Sequence, residues 1–167
     1  MEVGLSLGSN ISSRLDNLKE AKRRILTLPG ATLLAQSPVY ETEPVGVRPE
    51  YQHLDFLNAI LIFSGTCSAH ECFDHMRQIE GEMGRHRALD RFAPRPIDID
   101  MIYVGDSVIE SGGLVIPHPH WKERRFVLQP LADVRPDLII PGSEKTVKEV
   151  LASLPQVEDV TLFTRDW

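Results

Sequence analysis

The sequence has no run of about 18 apolar residues, which excludes a membrane-spanning helix of the usual kind. Its first residues, Met1-Glu2-Val3-Gly4-Leu5, carry neither the basic region nor the cleavage site of a secretory leader. Cysteine is scarce. Cys67 and Cys72 imply no disulfide framework and suit a reducing compartment, so a cytoplasmic protein is expected. A basic excess is also missing: the formal net charge is −6, which argues against nucleic acid as the main partner. There is no Gly-x-x-x-x-Gly-Lys-Ser/Thr loop, so the chain is not a Walker-type enzyme. Gly4-Leu5-Ser6-Leu7-Gly8-Ser9 has its glycines misplaced for a dinucleotide fingerprint. No serine or cysteine stands in a nucleophile motif. Repeats, low-complexity tracts and linkers are absent. The 167 residues, 42% hydrophobic and 25% charged, fit one domain over 1–167 with a sizeable core.

What is present centres on Arg95-Pro96-Ile97-Asp98-Ile99-Asp100. As a strand, it points Ile97, Ile99 and Met101 to one face and Asp98 and Asp100 to the other. Two residues of strand rise about 6.6 Å, so the carboxylates stand side by side. Uncompensated, they would repel by roughly 2.5 kcal/mol at about 7 Å and an effective dielectric near 20. A pair of divalent cations is an economical compensation, since two metals about 4 Å apart share carboxylates so spaced. A solvated edge, or two salt bridges to nearby arginines, is the plainer one.

The preceding stretch bears on that choice. From Gly84 to Arg95 stand Arg85, Arg87, Arg91 and Arg95 against Asp90, a net +3 that leaves −9 for the rest of a −6 chain. A small basic patch on an acidic protein suits a small polyanion. Carboxylates beside arginines are what a nucleoside triphosphate with Mg²⁺ requires.

Periodicity orders the elements. Val3–Leu7 is a strand. Leu15, Leu18, Ala21, Ile25 and Leu28 mark an amphipathic helix, capped by Ser12 or Ser13 and stopped at Pro29-Gly30. Thr32–Tyr40 reads as a second strand, Glu41–Asp55 as a loop and Phe56–Phe63 as a third strand. Ser68-Ala69-His70-Glu71 is a capping box for a second helix through Met83. Ile97–Val104 is a fourth strand, and Gly105-Asp106 turns into a short return strand, Val108-Ile109. Ile116–His120 is a rigid loop, Arg124–Leu131 and Val147–Leu154 are helices, and Val160–Phe163 is a last strand. The order β-α-β-β-α-β with C-terminal additions predicts an α+β, ferredoxin-like antiparallel sheet, with two helices on one face and the other left to loops and ligand.

Other side chains carry two readings each. Asn58 is a satisfied core amide or an anchor for a heterocycle edge, flanked by Phe56 and Phe126. Glu80 is a solvated helix residue or a site residue. Arg85, Arg95 and Arg124 are surface charges or phosphate ligands. His118 and His120 are metal ligands or phosphate donors. Cys67, His70 and Cys72 do not make a zinc site: the spacing is atypical and a fourth ligand is missing.

Together these residues resemble the 6-hydroxymethyl-7,8-dihydropterin pyrophosphokinases over nearly the whole chain. The likeness is carried by Leu7-Gly8-Ser9-Asn10, Tyr40-Glu41-Thr42-Glu43-Pro44-Val45-Gly46, Phe56-Leu57-Asn58-Ala59 and Ile79-Glu80. It continues in Gly84-Arg85-x-Arg87, Pro94 to Asp100, Ile116-Pro117-His118-Pro119 and Arg124-x-Phe126-Val127-Leu128-x-Pro130-Leu131. The resemblance implies a monomer that moves pyrophosphate from ATP to the pterin hydroxymethyl group, with no nucleic-acid or membrane partner. It implies two Mg²⁺ on Asp98 and Asp100. It also implies a pterin pocket of Thr42, Pro44, Val45, Gly46, Phe56, Asn58, Asp98 and Phe126. ATP contacts fall on Arg77, Glu80, Arg85, Arg95, Ile99, His118 and Arg124. Arg85 and Arg95 match catalytic arginines in a loop, here Gly84–Pro96, that closes over ATP. Phe92-Ala93-Pro94-Arg95 stands where the family often carries Trp-Gly-Pro-Arg. Arg77 replaces a usual glutamine, and Pro119 a tyrosine found in some members. The rivals are a metal-dependent phosphodiesterase, which would need no pterin acceptor, and a ferredoxin-like RNA-binding module, which would be basic.

Overall fold

The structure is a computed structural model in which residues 1–44, 54–84, 95–156 and 159–167 are described. Val45, Gly46 and Arg85 lie outside those residues, as does most of the Gly84–Pro96 loop. The described elements are β1 (Glu2–Ser9), α1 (Arg14–Leu26), β2 (Thr32–Gln36), β3 (Val39–Thr42), β4 (Phe56–Ser64) and α2 (Ala69–Glu82). After them come β5 (Asp98–Val104), β6 (Ile109–Ser111), β7 (Leu114–Ile116), α3 (Arg125–Val134), α4 (Val147–Ser153) and β8 (Val160–Thr164).

The main sheet runs β5-β1-β4-β3-β8, with β2 beside the far half of β4. Its pairings are antiparallel. β1 lies inside the sheet, and its alternation explains both faces. Val3, Leu5 and Leu7 are fully buried beneath α1 and α2, whose Leu18, Ala21, Ile25, Cys72, Met76 and Ile79 complete the first apolar cluster. Each such side chain contributes roughly 1.5–3 kcal/mol of burial. Gly4, Ser6 and Gly8 face the other way. Gly4 is small because a Cβ there would overlap the Tyr103 ring.

The expected second strand is two. Ser37-Pro38 divides it into β2 and β3, because Pro38 has no N–H to donate. Ser37 holds the break against β4: its N–H donates to Ile60 O at 2.9 Å, and its Oγ accepts from Ile60 N at 2.8 Å. The return strand at Val108-Ile109 is also corrected. β6 pairs with β7 as a separate hairpin, so Ile116 ends a strand rather than opening a loop. The capping box of α2 is present on Ser68 and Glu71. Ser13 holds the N-cap position of α1 but makes no side-chain cap bond.

The cysteines overturn the expectation of no disulfide: Cys67 and Cys72 are joined, with Cα atoms 6.0 Å apart. The capping geometry is the reason. Cys67 precedes the N-cap Ser68 and Cys72 is the fourth helical residue, the two positions that the first turn of a helix packs together.

The second face is not left wholly to loops. Ile60, Ile62, Ile102 and Tyr103 meet Trp121, Val127, Leu128, Leu131, Ile140, Val147 and Val150, so α3 and α4 cover the part of it around those strand residues. A β-bulge makes that possible. Met101 pairs with Leu5 and Tyr103 with Gly4, leaving Ile102 as the extra residue. Ile102 and Tyr103 therefore join the same cluster although they are adjacent. No helix among the described residues is long and apolar enough to cross a membrane.

Candidate active site

The part of the second face outside that cluster is polar, and the ladder registers place its residues. Residues paired across a sheet share a face, as do residues two apart. Gly8 pairs with Asn58 on one side and Asp98 on the other, and Ser6 pairs with Asp100. Tyr40 pairs with Asn58, and Thr42 with Phe56. Asp98, Asp100, Asn58, Phe56 and Thr42 thus lie on one face, at the end of the sheet beyond α3. Ile97, Ile99 and Met101 are buried on the opposite face, as the alternation of β5 predicts.

Asn58 and the acid pair are separated by a residue with no side chain. A Cβ on Gly8 would meet Asn58 Oδ1 at 3.0 Å and the Phe56 ring at 3.5 Å. Asn58 is buried at 4% exposure, and its Nδ2 donates to Thr42 Oγ1 at 2.6 Å. That bond orients and satisfies the amide, as the core-amide reading expects, and Asn58 lies on the polar face.

Two arginines bracket this face in matching ways. Arg95 Nη2 lies 3.4 Å from Asp98 Oδ2, and its guanidinium lies 5.2 Å from the centre of the Phe56 ring. Arg124 Nη1 lies 3.8 Å from Asp100 Oδ2, and its guanidinium lies 5.6 Å from the Phe126 ring centre. Each arginine therefore spans one aspartate and one of the two aromatics proposed to sandwich a heterocycle. The plainer sequence reading, that arginines offset the aspartates, is what the described contacts contain. It does not compete with a nucleotide site, because a polyphosphate needs the same arginines.

His118 is held against the acidic strand. Its N–H donates to Ile102 O at 2.9 Å, and its Nδ1 accepts from His120 N at 3.1 Å. An accepting Nδ1 places the proton of the neutral ring on Nε2. Burial, followed by the charge of Arg124 and by His120, lowers its pKa to about 4. His118 is thus a neutral Nε2–H donor in the physiological range.

Glu80 is 1% exposed, not solvated, and its Oε2 accepts from Ile99 N at 2.9 Å. It thereby ties α2 to β5 between the two aspartates. Ile99 itself is buried in the helical layer. Arg77 is exposed on α2 with its guanidinium 4.7 Å from the Phe73 ring centre. Pro44 is half-buried just beyond β3. Among the described residues, no three His, Cys, Asp or Glu side chains gather as a metal cluster.

The sequence places Gly8 and Asn10 in the motif Leu7-Gly8-Ser9-Asn10 but assigns neither of them a role. Gly8 acts by the side chain it lacks. Asn10 bonds to the backbone of Arg95, 85 residues away. Neither has a local pattern that reports such a contact.

Comparison with known proteins gives the following. The family described as 7,8-dihydro-6-hydroxymethylpterin-pyrophosphokinase (HPPK) matches residues 4–136. The 2-amino-4-hydroxy-6-hydroxymethyldihydropteridine pyrophosphokinase of Pseudomonas aeruginosa is 33% identical over 153 residues, 92% of this chain and 91% of its own length. The folate synthesis bifunctional protein of Arabidopsis thaliana is 41% identical over 133 residues, which make up 80% of this chain and 27% of that protein. Among solved structures, HPPK-DHPS in complex with substrates matches with a TM-score of 0.70 at 13% identity, over 91% of this chain and 43% of its own. That likeness concerns the fold alone. The chain spans about a quarter of the plant protein and under half of the solved chain, but nearly all of the bacterial relative.

Proposed function

This chain belongs to the 7,8-dihydro-6-hydroxymethylpterin-pyrophosphokinase family, and from that premise we propose that it transfers pyrophosphate from ATP to 6-hydroxymethyl-7,8-dihydropterin in folate biosynthesis. The observation that carries the reading is the rung Asn58–Gly8–Asp98. It supports the reading because Asn58, the proposed anchor of the heterocycle, lies two strands from Asp98, which with Asp100 forms a pair bracketed by arginines.

The pterin ring enters between Phe56 and Phe126 with its polar edge on Asn58 and Thr42; Pro44, Val45 and Gly46 belong to the same pocket. Its hydroxymethyl group then points towards Asp98. The hydroxyl oxygen attacks the β-phosphorus of ATP in line. The bond from that phosphorus to the α,β-bridging oxygen breaks, AMP leaves with that oxygen, and the hydroxyl proton passes to solvent. Arg95, with Arg85, stabilises the charge that builds on the leaving α-phosphate, and Arg124 holds the polyphosphate. His118 donates its Nε2–H to a phosphate oxygen. Arg77 and the backbone around Ile99 receive the nucleoside, on a strand that Glu80 steadies.

Two carboxylates on one strand face, with arginines beside them, are a donor set that fits Mg²⁺. That ion takes one or two carboxylates and completes its shell with substrate phosphates and water. Asp98 and Asp100 would hold two such ions. When bound, the metal supplies charge neutralisation and lowers the proton affinity of the attacking hydroxyl.

We further read residues 1–167 as one pyrophosphokinase domain of ferredoxin-like type, acting as a monomer in the cytoplasm. The β5-β1-β4-β3 order with antiparallel pairing supports the fold reading.

The test is AMP formation from ATP and Mg²⁺ with and without 6-hydroxymethyl-7,8-dihydropterin. Pterin-dependent AMP together with a pterin diphosphate product is the expected result. AMP or ADP formed equally without pterin would overturn the reading in favour of a hydrolase.

A further inference from the structure

The turn between β1 and α1 reaches the proposed catalytic arginine. Asn10 follows the last residue of β1 and is 3% exposed. Its Oδ1 accepts from Arg95 N at 2.8 Å, and its own N–H donates to Arg95 O at 3.3 Å. Two bonds to one residue fix its backbone in place and in direction. The clamp is itself held. Asn17 on α1 donates from Nδ2 to Ser9 Oγ at 3.2 Å and to Ile11 O at 3.1 Å, one contact on either side of Asn10. Two residues before Asn10, Gly8 pairs with Asp98. One rigid strand end therefore sets both Asp98, through the ladder, and Arg95, through Asn10.

We infer that Asn10 is a positioning residue for Arg95: by gripping its backbone, it aims the guanidinium at the place where the leaving phosphate develops charge. The inference rests on the pyrophosphoryl-transfer reading. The physical ground is that a side chain five bonds long sweeps a wide arc when its backbone turns. A misplacement of about 1 Å can cost about 100-fold in rate. An amide oxygen on a backbone N–H is a short-range device of the kind Asn and Asp side chains supply in turns.

The experiment compares Asn10→Ala, Asn10→Asp and Arg95→Ala, singly and with Asn10→Ala placed in the Arg95→Ala background, in the full chain. Asn10→Ala should lose about 100-fold in kcat, as expected for misplacement of a catalytic group, with KM for the pterin little changed. Asn10→Asp keeps the acceptor and should retain most of the rate. In the Arg95→Ala background, Asn10→Ala should cost almost nothing more, because residues that act as a unit are not additive. Amide hydrogen exchange at Arg95 should be slow in the wild type and fast in Asn10→Ala, a readout independent of turnover.

An Asn10→Ala protein with full kcat overturns the proposal. So does an equal loss in both backgrounds, or a loss in Asn10→Asp as large as in Asn10→Ala. A wild-type protein with no pterin-dependent AMP formation overturns instead the functional reading on which the proposal rests.

Discussion

Asn58 and Asp98 stand on the same rung of the sheet, two strands apart, with only the backbone of Gly8 between them. Asn58 is oriented by Thr42, and Asp98 is met by Arg95. A buried, hydrogen-bonded amide and a charged carboxylate thus share a face with a glycine between them. Such a rung suits a substrate with a planar polar ring at one end and a reacting hydroxyl at the other.

This glycine position should be sensitive to a single methyl group. In Gly8→Ala, the Cβ would meet Asn58 Oδ1 at 3.0 Å and the Phe56 ring at 3.5 Å. The 3.0 Å contact requires the Asn58 amide to give, and Asn58 is the residue proposed to hold the edge of the ring. KM for the pterin should rise by roughly tenfold, the equivalent of about 1.4 kcal/mol, while KM for ATP stays near its wild-type value. Steady-state kinetics with each substrate varied in turn decides it. An unchanged pterin KM would show that the ring does not lie over Gly8.

Asp98→Ala and Asp100→Ala should each abolish measurable turnover while leaving thermal unfolding nearly intact. Both side chains are partly exposed, at 21% and 31%, so their loss empties no core. What each removes is one carboxylate of the donor set proposed for Mg²⁺. Activity assays run beside thermal melts separate the two effects. An active Asp98→Ala protein would sink the metal-sharing argument.

Arg95→Ala should lower kcat by roughly two to five orders of magnitude, the range of positioned arginines in phosphoryl transfer. Equilibrium binding of the pterin should change little, because the contacts proposed for the ring are Asn58 and the aromatics. Equal losses in pterin binding and in turnover would contradict a role confined to the phosphates.

The division between what the sequence showed and what it hid follows from interaction range. Asp98 and Asp100 were legible because strand alternation is a local rule, and the buried Ile97, Ile99 and Met101 obey it. The capping box of α2 was legible for the same reason. The bulge at Ile102 was not, since an extra residue in a ladder is defined only by its partner strand. The break between β2 and β3 had a visible cause in Pro38, but the Ser37–Ile60 bonds that hold it span 23 residues. The number of cysteines and the expected compartment do not reveal the disulfide. Their placement around a helix start, Cys67 before Ser68 and Cys72 after Glu71, was the available signal. The roles of Gly8 and Asn10 depend on strands brought together from distant parts of the chain, and no local pattern reports that.

Glu80 can be tested as a tie rather than a ligand. It is 1% exposed and accepts from Ile99 N. Glu80→Ala leaves that buried N–H without its acceptor, a loss of roughly 1–3 kcal/mol, and should lower the melting temperature. Glu80→Gln keeps an acceptor and should recover most of that loss. If Glu80→Ala melts like the wild type but binds ATP poorly, the side chain serves the nucleotide directly.

His118 gives a pH prediction with a definite sign. Its pKa in the fold is lowered to about 4 against an ordinary value of 6.5, chiefly by burial and then by Arg124. Above pH 6.5 the ring is neutral in both folded and unfolded chains and contributes nothing to the pH dependence of stability. Between 6.5 and about 4 the unfolded chain takes up the proton and the folded chain does not. The unfolded state then binds more protons, so stability falls as pH drops through that window. Nuclear magnetic resonance of the His118 Cε1–H in metal-free protein should show a midpoint near 4. A His118→Leu variant should lose that part of the acid sensitivity. A midpoint near 6.5 would mean that the ring is solvated and free to charge, and it would remove the neutral Nε2–H donor from the phosphate site.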